Sequence, residues 1–229
     1  MKIEIPKDLI LFLTGVPCVG KTTTAYNLLR KYPEFKSVTE VDIMRTMARS
    51  IIRDIGPIVN SEVKLNVENS YYYLFKSVTV SNFITMKKQS SILSKPICEI
   101  VKRQQDRKIP TIIEGTSIVP STFFENNKPI DGFQKNIIFI NLYLSDIQEH
   151  IQRRKNRCVE REYATVEPIH EKINLIRNDK NDILHKETLE LSTKVQNIFS
   201  IDIAHMSQNE VVEKISEIIS NYFSRTKTI

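Results

Sequence analysis

Several features are scarce in this sequence, and each scarcity excludes a class of protein. The chain has five glycines and three cysteines among 229 residues, and no apolar run approaches the roughly 18 residues that a membrane span needs. Cys18, Cys98 and Cys158 lie in no metal-binding spacing, which indicates reduced thiols and a cytoplasmic protein. The first residues lack the apolar segment of a signal peptide, and no repeat is visible. We therefore expect a single domain over residues 1–229, with no membrane partner.

The net charge of +6 suits an anionic partner, either a nucleic acid or a small phosphorylated metabolite. Hydrophobic residues make up 41% of the chain and charged residues 26%, which is ordinary for a globular protein. The basic residues are spread along the chain, with one exception between Arg153 and Arg161. In that segment five basic side chains face a single acid.

Two of the five glycines lie in one motif. Residues 15–22 read GVPCVGKT and fit G-x-x-x-x-G-K-[ST], the phosphate-binding loop or P-loop. An apolar strand precedes the motif and a helix follows it, so backbone N–H groups and a helix N-terminus can hold a polyphosphate. We predict ATP and Mg²⁺ as cofactors, with Lys21 at the β- and γ-phosphates and Thr22 on the metal. The predicted nucleotide-binding residues are Gly15, Val16, Pro17, Cys18, Val19, Gly20, Lys21, Thr22 and Thr23.

Apolar strand patterns alternate with helical ones along the rest of the chain. This order predicts an α/β fold, a P-loop NTPase three-layer sandwich whose five-stranded sheet is mostly parallel and carries a helical lid. The predicted strands are 9–14, 37–41, 111–114, 136–144 and 198–203. Predicted helices follow at 23–32, from about 42, through much of 60–108, and at 145–157, 165–196 and 209–223.

Ligands of open α/β sheets bind at the carboxyl ends of the strands, so the residues there are candidates for the acceptor site. After the second strand come Asp42, Arg45 and Arg49, with the two arginines on one helical face. They could hold a phosphate or carboxylate of an acceptor, and Asp42 could take its hydroxyl proton or position it. The alternative is a helix that begins with a carboxylate and carries solvated arginines.

Glu114 ends the third strand and Gly115 follows it, at a position where an acid can hold Mg²⁺ through water or orient the acceptor. The alternative for Glu114 is an acid that caps the next turn. The predicted acceptor region spans about 42–108 and the lid about 150–165. In the lid, Arg153 and Arg157 are expected to stabilise charge during phosphoryl transfer. Their alternative is a solvated basic helix end. We expect the tyrosines at 71–73 to be core and packing residues rather than a platform on which nucleic-acid bases stack.

Four stretches of the sequence resemble one family of P-loop kinases. They are GVPCVGKTT at 15–23, DIMRTMAR at 42–49, IIEGTSIVP at 112–120 and HIQRRKNR at 150–157. In order and spacing they are similar to the archaeal-type 2-phosphoglycerate kinases. The resemblance implies ATP-dependent phosphorylation of 2-phosphoglycerate to 2,3-bisphosphoglycerate, with Arg45 and Arg49 on the acceptor. The chain departs from the family pattern at Thr116–Ser117 for Val-His, at Cys18 for glycine and at Arg154 for an aromatic residue.

Two other functions fit the same motif. One keeps the kinase chemistry but changes the acceptor to a nucleic-acid 5′-hydroxyl or a sugar nucleotide, as in polynucleotide kinases or zeta-toxin-like kinases. Nucleic acid is disfavoured because no basic stripe with interleaved aromatics is evident outside the lid. The other is a non-catalytic nucleotide-binding switch, which would need no acceptor pocket.

Overall fold

The structure is a computed structural model that describes residues 4–48, 50, 83–130, 136–160 and 180–226. Arg49, the tyrosines at 71–73 and the predicted helical segments 60–82 and 165–179 lie outside the described residues. The strands are β1 Ile10–Thr14, β2 Ser37–Glu40, β3 Thr111–Glu114, β4 Phe124–Glu125, β5 Lys128–Pro129, β6 Ile137–Tyr143 and β7 Ile198–Asp202. The helices are α1 Lys21–Lys31, α2 over 41–48, α3 Phe83–Asp106, α4 Ile147–Glu160, α5 Asp182–Ser192 and α6 Gln208–Thr226.

Five strands form one parallel sheet in the order β2-β3-β1-β6-β7. The five predicted strands are confirmed to within one residue at either end. Strands β4 and β5 were not predicted; they form a small antiparallel hairpin after a 3₁₀ turn at Pro120–Phe123. Predicted strand 37–41 ends at Glu40 because Val41 already belongs to α2.

The sheet separates two hydrophobic cores, because successive strand residues point to opposite faces. On one face, side chains such as Leu11 and Leu13 pack against α1 and α6. On the other, Phe12 and Phe139 stack with ring centroids 4.3 Å apart, in the core shared with α3. Helices therefore cover both faces, and the predicted three-layer α/β sandwich is confirmed.

Sheet register brings the carboxyl ends of three strands together. In β1 and β3, Leu13 pairs with Glu114, and Glu114 in turn pairs with Glu40 at the end of β2. The P-loop after β1, the acid that ends β3 and the start of α2 consequently lie side by side. Within the described part of the chain, no helix has the combined length and apolar character to cross a membrane.

Candidate functional site

Backbone conformation in the loop between β1 and α1 depends on glycine at two places. Gly15 has φ 143°, and a Cβ there would lie 2.6 Å from the Leu142 carbonyl oxygen. Gly20 has φ 87° and precedes the first residue of α1 without a side-chain cap. The first N–H groups of a helix have no partner within the helix, so those of α1 are suited to an anion.

Cys18 adopts the left-handed conformation, with φ 70°. Residues with a Cβ pay a steric cost in this region, whereas glycine does not. This conformation suits the glycine that the 2-phosphoglycerate kinase pattern has at this position. Cys18 is half-buried, and its Sγ lies 4.0 Å from Nη1 of Arg157.

Lys21 is buried beneath the loop, and its Nζ donates a hydrogen bond to the Val16 carbonyl at 3.0 Å. Burial lowers the pKa of Lys21, while the negative charges of Glu114 and Asp42 act in the opposite direction. The ammonium group is therefore held where its charge is poorly solvated. Burial removes the water that would stabilise this positive charge, and the negative charge of a bound polyphosphate would stabilise it instead.

Thr22 and Glu114 form a hydroxyl–carboxylate pair at the N-terminus of α1. The Thr22 hydroxyl donates to Oε1 of Glu114 at 2.7 Å, and Glu114 is only 4% exposed. Burial raises the pKa of Glu114, and the charge of Lys21 partly offsets this. Mg²⁺ prefers oxygen ligands and shares them with substrate phosphates, so this pair of oxygens fits the ion.

Asp42 and Arg45 lie in the first turns of α2, at the end of β2. Oδ1 of Asp42 is 3.5 Å from Nη2 of Arg45, and Nη1 of Arg45 donates to Oε1 of Gln89 at 3.3 Å. Asp42 also acts electrostatically on Lys21, which ties this helix start to the P-loop. Arg49 lies outside the described residues, so its place in the site stays a prediction.

Gly115 allows the segments after β2 and β3 to approach each other. A Cβ at this position would come within 2.7 Å of the Val41 Cβ. The structure thus gives Gly115 a packing reason, and its assignment to substrate binding stays a prediction.

Helix α4 places three polar side chains against the P-loop. His150 is fully buried and its Nε2 donates to the Pro17 carbonyl at 2.9 Å. Arg153 contacts the Val19 carbonyl at 3.4 Å and is held by Glu149 at 2.6 Å. With Arg157 they occupy positions i, i+3 and i+7, one face of the helix.

The predicted lid at 150–165 is described only to residue 160, and that part is continuous helix packed on the phosphate loop. Residues 161–165 lie outside the described residues, so a lid movement stays a prediction. Sequence reasoning assigned no role to His150 or Glu149. The spacing of His150, Arg153 and Arg157 on one helical face was the signal that could have revealed this packing.

Comparison with known proteins gives relatives of one function. No protein-family model matches the chain. A 2-phosphoglycerate kinase from Methanococcus maripaludis is 24% identical over 222 residues, covering 95% of this chain and 66% of the relative. One from Methanococcus vannielii is 25% identical over 229 residues, covering 94% and 66%. The chain thus spans just under two thirds of the length of the curated relatives that it matches.

Among solved structures, a gluconokinase from Sinorhizobium meliloti matches with a TM-score of 0.54 at 10% identity, covering 98% of both chains. At that identity the likeness shows the fold alone, a three-layer α/β sandwich as predicted from the sequence. The two sequence relatives carry the name of one enzyme, 2-phosphoglycerate kinase.

Proposed function

We propose that the protein is an ATP-dependent kinase that transfers the γ-phosphoryl group to the free hydroxyl of 2-phosphoglycerate. One observation carries the kinase assignment. The Thr22–Glu114 pair lies beside the glycine-containing loop 15–20, and the Lys21 side chain is buried against the same loop. The choice of 2-phosphoglycerate as the acceptor rests on the four sequence stretches that resemble 2-phosphoglycerate kinases. It also rests on the relatives of that name, which match most of the chain.

The nucleotide would bind through its phosphates to the loop 15–20 and the first turn of α1. Lys21 would neutralise the β- and γ-phosphates, and the Thr22 hydroxyl with Glu114 would hold Mg²⁺. Bound there, Mg²⁺ would supply positive charge that offsets the negative charge of the phosphates. Phosphoryl transfer depends mainly on positioning and charge, and these are what the loop provides.

The acceptor would bind where β2 and β3 end. Arg45 and Arg49 would hold its phosphate and carboxylate, beside Asp42. In the reaction, the acceptor oxygen forms a bond to the γ-phosphorus while the bond from that phosphorus to the bridging oxygen breaks. The electron pair of the broken bond leaves with ADP, and the hydroxyl proton of the acceptor passes to Asp42 or to solvent.

Arg153 and Arg157 would act from the side of α4, which packs on the phosphate loop. Because their guanidinium groups lie against the loop, they would place positive charge near the phosphates, on whose oxygens negative charge shifts during transfer. Among the described residues Arg153 is paired with Glu149 and Arg157 has no carboxylate partner, so within that part of the chain Arg157 has the less neutralised charge of the two.

The test is a screen of purified protein with γ-labelled ATP and Mg²⁺ against 2-phosphoglycerate, 3-phosphoglycerate, glycerate, nucleosides and 5′-hydroxyl oligonucleotides. We expect label transfer to 2-phosphoglycerate, and none with Lys21→Met. Transfer of the label to an oligonucleotide or a nucleoside would show that the acceptor is not 2-phosphoglycerate, and it would still support the kinase assignment. ATP binding without transfer to any acceptor would favour the nucleotide switch.

A further inference from the structure

Gln89 is a fully buried polar side chain on α3, a helix that contributes no P-loop residue. Its Oε1 accepts hydrogen bonds from Nη1 of Arg45 at 3.3 Å and from the Ser117 hydroxyl at 2.9 Å. An amide oxygen has two lone pairs, and these two donors use both. One buried oxygen therefore joins the helix after β2 to the loop after β3.

The side chain next to Gln89, that of Ser90, contacts the same loop. The hydroxyl of Ser90 accepts a hydrogen bond from the Val119 N–H at 2.9 Å and lies 2.6 Å from the Thr122 hydroxyl. Val119 and Ser90 are both buried. Because these contacts hold α3 against the loop, the position of the Gln89 oxygen is set before any ligand binds.

The neutral amide adds no further negative charge beside Arg45, whose Nη2 already lies 3.5 Å from Oδ1 of Asp42. A carboxylate at this position would form a buried ion pair and cancel the attraction of the guanidinium for an anion. Arg45 has a side chain only 13% exposed, and its buried Nε has no hydrogen-bond partner in the described part of the chain. A buried donor without a partner costs free energy until an oxygen fills it, which an acceptor anion can do.

We infer that Gln89 is a positioning residue of the acceptor site, which orients the Arg45 guanidinium toward the acceptor anion without neutralising it. The inference rests on the proposed function. Ser117, which stands where the 2-phosphoglycerate kinase pattern has histidine, completes the arrangement by donating to the same oxygen. Gln89 and Ser117 then determine the direction of the guanidinium, and Arg45 makes the contact with substrate.

The test is Gln89→Glu, which keeps the size and the accepting oxygen of the side chain, replaces its NH₂ group with a second oxygen and adds a negative charge beside Arg45. Gln104→Glu is the matched control. Gln104 is a buried glutamine on the same helix, and its Oε1 accepts from Arg103 at 3.1 Å. It lies near Ser37, at the opposite end of β2 from the acceptor site.

We expect Gln89→Glu to raise the KM for 2-phosphoglycerate by about tenfold or more, with the KM for ATP and kcat within about twofold of wild type. Gln104→Glu should leave both KM values unchanged. A residue that only supported the fold would lower the unfolding midpoint without selecting one substrate. An unchanged acceptor KM in Gln89→Glu, with activity retained, overturns the inference.

Failure of the proposed function gives a different result. Wild-type protein would then transfer no phosphoryl group to 2-phosphoglycerate, and the KM comparison would be made with whichever anionic acceptor the screen finds. If there is none, a double-mutant cycle of Arg45→Met and Gln89→Met on thermal unfolding decides. Non-additive midpoint losses support the Gln89–Arg45 arrangement, and additive losses contradict it.

Discussion

The hydroxyl of Thr22 and a carboxylate oxygen of Glu114 lie 2.7 Å apart, although 92 residues separate them in the chain. The contact joins the first turn of α1 to the end of β3. It forms because β1 and β3 are paired in parallel, so that the P-loop and Glu114 emerge at the same edge of the sheet. The pair is the point of the site where a metal-bound nucleotide and the sheet would meet.

Replacing Glu114 with glutamine removes the negative charge of this pair. Because the carboxylate would help to hold Mg²⁺, we expect Glu114→Gln to lower kcat by about a hundredfold or more at moderate Mg²⁺. Glu187→Gln is the control, since Glu187 pairs with Lys87 at 3.0 Å on helices α5 and α3. Steady-state kinetics across a Mg²⁺ series measure the effect, and equal losses in both variants would argue against the metal role.

The pH dependence of activity should report the ionisation of Glu114. Burial raises the pKa of Glu114 most, and the charges of Asp42 and Glu40 raise it further, while Lys21 lowers it. Because the ionised carboxylate is the form that binds metal, activity should rise with pH as Glu114 loses its proton. The acidic limb of the pH–activity profile should therefore lie at a pH above the ordinary pKa range of a glutamate.

Glu40→Gln tests this electrostatic origin. Glu40 is the register partner of Glu114 and accepts a hydrogen bond from Tyr26 at 3.1 Å. Removing its negative charge lowers the pKa of Glu114, so the acidic limb of kcat/KM for ATP should move to lower pH. The measurement is a profile from about pH 5 to pH 8. A limb that stays in place, as expected for the exposed control Glu125→Gln, would assign it to another group.

The two loop glycines should differ in their tolerance of alanine. At Gly15 a Cβ meets backbone, the Leu142 carbonyl at 2.6 Å, whereas at Gly20 it meets the Gln208 side-chain amide at 3.0 Å. Only the side chain can move aside. We expect Gly15→Ala to cost about 2–4 kcal/mol of unfolding free energy and Gly20→Ala about 1 kcal/mol. Urea unfolding measures both, and equal losses would contradict the loop geometry.

The hydrogen bond from His150 to the Pro17 carbonyl should support the P-loop from outside. His150→Leu removes the donor, and we expect it to cost about 1–3 kcal/mol of unfolding free energy and to raise the KM for ATP. His205→Leu is the control, because that side chain is 78% exposed. Thermal unfolding with and without ATP measures the effect; a His150 variant as stable as the control would show that the contact contributes little.

Local patterns in the sequence predicted the frame of the site. The strand patterns identified all five strands of the sheet, and the motif at 15–22 placed the phosphate loop between β1 and α1. Since the carboxyl ends of parallel strands share one edge, the prediction that Asp42, Arg45 and Glu114 belong to one region also followed. These conclusions depend on periodicity and chain order alone.

The contacts that depend on packing between distant segments were not predicted. Gln89 lies 44 residues from Arg45, and His150 lies 133 residues from Pro17. No local periodicity distinguishes such a glutamine or histidine from one on a solvated face. Only the assembled sheet and helices determine that these side chains meet.

The hairpin of β4 and β5 escaped prediction for a different reason. Each strand has two residues, too few for an alternating pattern, and Pro129 disfavours strand structure. Its turn residues Asn126 and Asn127 have φ 51° and 62°, the conformation that asparagine tolerates in tight hairpin turns. The adjacent asparagines were the one local sign of the hairpin.

Calorimetric titration of ATP into the folded protein, with and without Mg²⁺, tests the central claim most directly. We predict that wild-type protein takes up ATP in a Mg²⁺-dependent manner and that Lys21→Met weakens this binding by about tenfold or more. The unfolding midpoint of the Lys21→Met variant should not fall. Burial is the main cause that lowers the pKa of Lys21, so the positive charge of this side chain opposes folding. Folded wild-type protein that shows no Mg²⁺-dependent uptake of ATP would contradict the account.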